Sequence, residues 1–484
     1  MLSLNTEARM ELWRRVAESI ESYSRDVGGM DVTPELAAGE LCDILRPFDF
    51  THPRDPIAIV DFTVDVMRRF HVHNAHPSYF GLFVPAPTTM GIFADALAAA
   101  FNPALGAWNL SPIGVEIERH LVRAFGNLFG YEQSSSDGVF TAGGSEANHT
   151  ALLTALASKF PEFNHGGLRS LDARPILYTS SESHRSIHKA ARLCGLGSDS
   201  VREVPVDHFL RMDTNALALR VDEDKAAGFT PFLIVATAGT TNAGVTDPIA
   251  SLADYAGHEN LWLHVDAAWG GAAALLPELN DLFTGIERAD SITFDLHKWL
   301  SVPMGAGLYL TRHSEIMERT FHAAAPYMPA AEAAGRAADP FSHSMQWSRR
   351  FIGLKAFMSL ATAGWEGYAE SIRHQVAMGD YMRMKLKEAR WEILNTSRLP
   401  VVCFVDLTHP DGRSQEYLHG IAASVVSSGR AWLSTTSIGH GVAALRACVT
   451  NYNTQTENVD ILVQTLELAR KQSGETAGLQ AVRA

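Results

Sequence analysis

Residues 291–300 read SITFDLHKWL. A β-prone run, Ser291-Ile292-Thr293-Phe294, delivers the pair His297-Lys298 into a loop flanked by apolar and aromatic residues. A lysine in apolar surroundings loses solvation, which makes its neutral, nucleophilic amine accessible. Lys298 therefore has the setting of a lysine that bonds covalently to a carbonyl group. A surface lysine beside a structural Trp299 has the same local sequence, so the rest of the chain must separate the two readings.

Outward from this run, strand patterns alternate with helical ones from about residue 139. Candidate strands cover 176–179, 232–237, 261–266, 291–294 and 307–310. Such alternation is the signature of an α/β fold, a mostly parallel sheet covered by helices on both faces. Functional side chains in these sheets gather at the carboxyl ends of the strands.

Four other strand ends carry chemistry. Residues 141–146, TAGGSE, open a helix expected over 147–158. Small residues let an anion approach the backbone, and a helix N-terminus favours phosphate; Ser145 adds a hydroxyl or caps the helix. The strand LWLHVD at 261–266 ends in Asp266 and is followed by AAWGG. A carboxylate buried there requires a cationic partner, and a flat heteroaromatic ring with a protonated nitrogen accounts for both the charge and the small residues. His184, in SESH at 181–184, fits a helix cap, a core position or a face against such a ring. ATAGTT at 236–241 places small and hydroxyl residues, Thr240 among them, beyond another strand.

The 484 residues, 46% hydrophobic and 19% charged, suit a folded protein with a substantial core. With 40 basic against 54 acidic residues, the net charge of −14 argues against nucleic acid or an anionic membrane as main partner. Four scattered cysteines form no C-x-x-C pair, and no apolar run reaches membrane-spanning length, so a cytoplasmic protein is expected. His71, His73 and His76 lack a completing cysteine or carboxylate, and no metal is expected there. Helical patterns at 6–23, from Pro34 through Leu36, Leu41 and Ile44, and at 56–70 suggest an arm packing on a neighbouring domain or subunit. Residues 76–87 suit an irregular pocket-lining loop, and 321–340 a long Ala/Gly/Pro-rich loop bearing Tyr327. Apolar runs at 401–407 and 443–449 suggest a small C-terminal α+β domain.

GGSEA at 143–147, SESH at 181–184, ATAGTT at 236–241, HVDAAWGG at 264–271 and DLHKWL at 295–300 together resemble the pyridoxal-phosphate-dependent amino-acid decarboxylases of the aromatic-L-amino-acid and glutamate decarboxylase group, group II. The likeness extends through HPSYF at 76–80, WNLSP at 108–112 and SRRFIGLK at 348–355. It implies a PLP-dependent transferase-like fold of type I: a seven-stranded, mostly parallel sheet, an N-terminal helical arm and a small C-terminal domain. The corresponding units are 1–80 for arm and dimerisation segment, 81–365 for the cofactor-binding domain, 366–475 for the C-terminal domain and 476–484 for a tail.

By this resemblance Lys298 holds pyridoxal 5′-phosphate covalently, Asp266 keeps its ring nitrogen protonated, and His184 stacks on the ring and meets the substrate carboxylate. Gly144, Ser145 and His297 surround the phosphate, with Ala268 beneath the ring and Thr240 near it. Tyr327 occupies the place of a loop tyrosine that protonates the substrate Cα, which favours an amine; relatives with phenylalanine there tend to make aldehydes. Phe80, Phe83, Pro85 and Trp108 are the pocket candidates and suit an aromatic substrate in a homodimer with shared sites. Acidic or diamino substrates, an aldehyde product and a catalytically silent dimeric binding protein are the alternatives. One departure is Asp295, where many relatives carry a neutral residue; beside a phosphate it is expected to turn away or pair with a cation.

Overall fold

The computed structural model describes residues 2–35, 39–323 and 339–483, with side chains described as far as residue 473. Seven strands form the large sheet: β1 Asp137–Thr141, β2 Pro175–Ser180, β3 Val201–Val204, β4 Thr230–Thr237, β5 Trp262–Asp266, β6 Ser291–Asp295 and β7 Gly307–Thr311. Their order is β1-β7-β6-β5-β4-β2-β3. All neighbouring pairs are parallel except those made by β7, which runs antiparallel to both β6 and β1. Every residue of β2, β5, β6 and β7 is buried, as expected when helices cover both faces. β1 and β3 are the two strands that the sequence reading did not delimit.

The antiparallel return of β7 has a local consequence. It pairs Gly307 with both Asp295 and Thr141, so the ends of β6 and β1 meet across one glycine. A Cβ at Gly307 would stand 2.6 Å from Cα of Gly143. Only a residue without a side chain lets the glycine turn at 143–144 approach the end of β6.

The second sheet has four strands, β8 Trp391–Ile393, β9 Val401–Asp406, β10 Ser434–Ile438 and β11 Val442–Cys448, all antiparallel in the order β10-β11-β9-β8. Its core includes Trp391, Phe404, Leu418, Ile421 and Leu466. The helix Gly353–Glu388 links the two sheets and breaks at Gly364, whose φ of 65° lies outside helical geometry.

At the N-terminus, the helices Thr6–Asp26 and Pro56–Phe70 are capped by the side chains of Asn5 and Asp55 and joined by the Arg15–Asp61 ion pair. Neither helix has a buried residue. The short helix between them spans Glu40–Leu45 instead of starting at Pro34, because Gly39 has a left-handed φ of 92° and the helix begins only after it; Leu36 lies outside the described residues. His73 bonds to the Tyr23 hydroxyl and the Arg68 carbonyl, while His76 accepts from the Ser78 N–H. Among the described residues no cluster of three or more histidine, cysteine, aspartate or glutamate side chains suits a metal ion, and no helix is long and apolar enough to cross a membrane.

Candidate active site

The site forms where β5, β6 and the helix Gly144–Lys159 converge. β6 ends in Asp295, and the turn after it carries Lys298, whose neighbours Leu296, Trp299 and Leu300 are buried. Trp299 donates its indole N–H to Gln375 and packs 5.3 Å from Trp269, which in turn stacks on Phe83 at 4.3 Å. This aromatic stack anchors the turn. Lys298 is 24% exposed, so it opens into the site from an apolar base, and its Nζ stands 3.0 Å from Oδ2 of Asp295. His297 is buried, and its Nδ1 accepts the Ala306 N–H at 3.2 Å.

β5 delivers Asp266, 5% exposed. Its Oδ2 accepts from Nδ2 of Asn148 at 2.8 Å and its Oδ1 from the Ala268 N–H at 3.1 Å. No basic side chain pairs with this carboxylate among the described residues. Two neutral donors offset only part of the cost of burying the charge, which leaves the carboxylate fitted to a cationic ligand atom.

The cradle begins at Gly143, which precedes the helix and supplies no side-chain cap, so the helix starts at Gly144 and not at 147. Ser145 is exposed in the first turn and caps nothing; first-turn N–H groups lack intrahelical partners. A Cβ on Gly144 would stand 2.7 Å from Oδ2 of Asp295 and 3.3 Å from Cβ of Ala268, and one on Gly143 would stand 3.4 Å from Cε1 of His297. Gly143, Gly144, Ala268, Asp295 and His297 therefore meet in one place, beside Lys298.

His184, exposed at the end of β2, accepts at Nδ1 from the hydroxyl of Ser186 at 2.8 Å and its N–H at 3.2 Å. Thr240 is fully buried, and its Oγ1 accepts the Val245 N–H at 3.1 Å, holding the loop after β4.

The four pocket candidates do not gather. Phe80 is fully buried in the C-terminal core, its backbone bonded to Trp432 and Cys448. Phe83 and Pro85 are buried, Phe83 within the Trp269 stack, and Trp108 packs in a separate cluster with Leu105, Val115 and Phe351. Leu82, between Phe80 and Phe83, is the exposed apolar residue of this loop. Tyr327 lies outside the described residues.

Two features escaped the sequence reading. Arg446, buried in β11, donates to the carbonyls of Thr241 and Gly81 at 2.8 Å each, lies over the Phe83 ring, and has an Nη2 without a hydrogen-bond partner. Its signal was an arginine inside the apolar run ALRAC. Asn148 and His264 flank Asp266; their signals were helical spacing from Gly144 and strand spacing from Asp266.

An amine, a buried carboxylate awaiting a cation and a glycine cradle at a helix N-terminus are the donor set that pyridoxal 5′-phosphate requires. Fold and site define a fold type I pyridoxal-phosphate enzyme. A family model described as the pyridoxal-dependent decarboxylase conserved domain matches residues 47–406. The chain is 29% identical over 480 residues to an aromatic-L-amino-acid decarboxylase of Bacillus atrophaeus, covering 98% of each chain. It is 32% identical over 339 residues to a human cysteine sulfinic acid decarboxylase, covering 69% of this chain and 68% of the relative. The crystal structure of Oryza sativa TDC with PLP and tryptamine superposes with a TM-score of 0.89 at 26% identity, covering 98% of this chain and 99% of that one. The chain belongs to the pyridoxal-dependent decarboxylase family and is an amino-acid decarboxylase that uses pyridoxal 5′-phosphate.

Proposed function

We propose that this enzyme converts an L-amino acid with an aromatic side chain to the corresponding amine and carbon dioxide. The observation that carries the aromatic preference is the likeness to an aromatic-L-amino-acid decarboxylase over 98% of both chains.

When bound, the cofactor supplies the electron sink for the pair released as the Cα–carboxylate bond breaks. The chain's residues do the rest. Lys298 would hold the cofactor through its amine, and Asp266 would keep a proton on the ring nitrogen. Gly144, Ser145 and His297 would hold the phosphate, with Ala268 and Thr240 near the ring. His184 would stack on the ring and donate toward the substrate carboxylate. Tyr327 gives its phenolic proton to Cα, which directs the product to the amine; a positioned acid of this kind contributes about 10²–10⁴-fold.

The working enzyme is a cytoplasmic homodimer in this reading. Phe93, Leu97, Phe101, Leu110 and Ile113 present exposed apolar side chains that a second copy would cover, and four free cysteines suit a reducing compartment. The arm, large domain and small domain keep the boundaries given above.

A second reading, an acidic side chain, is favoured by the unpartnered Nη2 of Arg446. Incubation of the holoenzyme with aromatic, acidic and diamino acids, with carbon dioxide, amine, aldehyde and peroxide all measured, separates the readings. Highest turnover on an aromatic acid with equimolar amine and no peroxide is expected. Preference for an acidic acid that Arg446→Met removes would replace the aromatic reading, and aldehyde with peroxide would replace the amine product.

A further inference from the structure

Behind Asp266, side chains without a role in the reaction form one continuous hydrogen-bonded chain. Trp262 Nε1 donates to Ser291 Oγ at 2.9 Å, and Ser291 Oγ lies 2.9 Å from His264 Nδ1. His264 Nε2 lies 3.0 Å from Oδ1 of Asn148, and Nδ2 of Asn148 reaches both Asp266 Oδ2 and Ser186 Oγ, each at 2.8 Å. Ser186 Oγ ends the chain 2.8 Å from Nδ1 of His184.

Donor and acceptor inventories fix the proton order outward from Asp266. Asp266 as a carboxylate accepts only, so the Asn148 amide nitrogen faces it and the amide oxygen faces His264. His264 then donates from Nε2, which also lies 3.3 Å from Oγ1 of Thr293, and as a neutral ring it accepts at Nδ1 from the Ser291 hydroxyl, whose oxygen takes the indole N–H. The neutral ring is the form that burial favours, because desolvation lowers the His264 pKa from 6.5 to about 4. At the other end, Ser186 Oγ accepts from the Asn148 amide, so its single proton goes to His184 Nδ1. The Ser186 backbone N–H converges on that same nitrogen at 3.2 Å. Neutral His184 is left with its proton on Nε2.

We infer that Asn148 and Ser186 are positioning residues that hold Asp266 toward the ring nitrogen and lock His184 in the Nε2–H tautomer, joining both catalytic groups through one amide. The inference deepens the assigned roles of Asp266 and His184. Asn148 also explains why those groups, carried by different strands, need no direct contact: Gly144 and Asn148 are one helical turn apart, so the helix that cradles the phosphate also carries the bridge.

The test reads the tautomer first, because that measurement needs neither cofactor nor substrate. Histidine-selective ¹⁵N labelling of the cofactor-free protein, with His184→Gln to assign the resonance, should show His184 with Nδ1 unprotonated at a pH where the ring is neutral. Ser186→Ala should give a mixture of tautomers and Ser186→Thr should restore the single form. Asn148→Ala should raise the dissociation constant of pyridoxal phosphate roughly tenfold or more through the lost bond to a charged group, and should shift the pH dependence of the bound cofactor's visible absorbance. A Ser186→Ala protein with the wild-type tautomer, or an Asn148→Ala protein with unchanged affinity and absorbance profile, overturns the inference. Failure of the aromatic substrate preference alone leaves both readouts standing.

Discussion

Nζ of Lys298 and Oδ2 of Asp295 are 3.0 Å apart, while Oδ1 of Asp295 is buried without a hydrogen-bond partner. Of the two arrangements the sequence allowed for this carboxylate, turning away or pairing with a cation, it takes the second, with the lysine proposed to carry the cofactor. It also borders Gly144, so its charge faces the phosphate cradle. An isolated buried carboxylate is costly, and the lysine offsets that cost only while its amine remains free.

Asp295→Asn should therefore strengthen cofactor capture. Removing a negative charge from beside the phosphate and releasing Lys298 from an ion pair both act in that direction. Titration of the cofactor-free protein with pyridoxal phosphate, followed by visible absorbance, should show faster association and a severalfold lower dissociation constant. Weaker binding would mean that Asp295 orients Lys298 and its charge is tolerated.

Gly144→Ala should lower cofactor affinity and also lower the unfolding midpoint of the cofactor-free protein, because the methyl must displace the buried Asp295 carboxylate. The added methyl would lie 2.7 Å from Asp295 Oδ2 and 3.3 Å from the Ala268 methyl, in the cradle itself. Equal affinity for variant and wild type would place the phosphate elsewhere.

Tyr327→Phe should retain cofactor absorbance and lose amine formation by about 10²–10⁴-fold, the worth of a positioned proton donor. Amine produced at the parental rate rules Tyr327 out as that donor.

Arg349 and Glu118 form a buried ion pair at 3.0 Å, and Glu118 Oε1 also accepts the Gly353 N–H at 2.9 Å. Burial pushes the Glu118 pKa up despite the arginine. Arg349→Met should cost about 3–5 kcal/mol by stranding the carboxylate, and adding Glu118→Leu should recover much of it. Denaturant unfolding of both single variants and the double variant measures this; a double-variant cost equal to the sum of the two single costs would show that the pair is not coupled.

His264 makes stability depend on acidity in a defined window. Its folded pKa of about 4 lies below the value of 6.5 for a free imidazole, so between those values the unfolded chain binds the extra proton. Its contribution is fully present above about pH 6.5 and falls as pH drops toward 4, by on the order of 3 kcal/mol. His264→Gln should flatten the stability profile between pH 6.5 and 4 relative to wild type. Parallel profiles for the two proteins would show that His264 is not the titrating group.

Much of the fold was legible because local pattern and burial agreed. The candidate strands at 176–179, 232–237, 261–266, 291–294 and 307–310 correspond to β2, β4, β5, β6 and β7 within a residue or two. β3, four residues at the sheet edge with only its end residues buried, carries too short a pattern to delimit. The helix of the cradle begins earlier than its apolar periodicity, because its first turn consists of small and polar residues placed by the glycine turn. The surroundings of Phe80 were illegible for a related reason: a loop rich in proline, glycine and aromatics looks the same whether its rings face a pocket or, as Phe80 does, the C-terminal core.

The sequence by itself determined the chemistry: a lysine after one strand, an aspartate closing another and glycines opening a helix, since each role demands a residue type at a strand or helix end. Tertiary structure alone decided which groups touch. Asp295 pairs with Lys298 because the turn after β6 folds back on its own strand end, and Asp266 is joined to His184 through Asn148 and Ser186 because three separate elements meet there. Such contacts depend on distances between strand ends that no local pattern encodes.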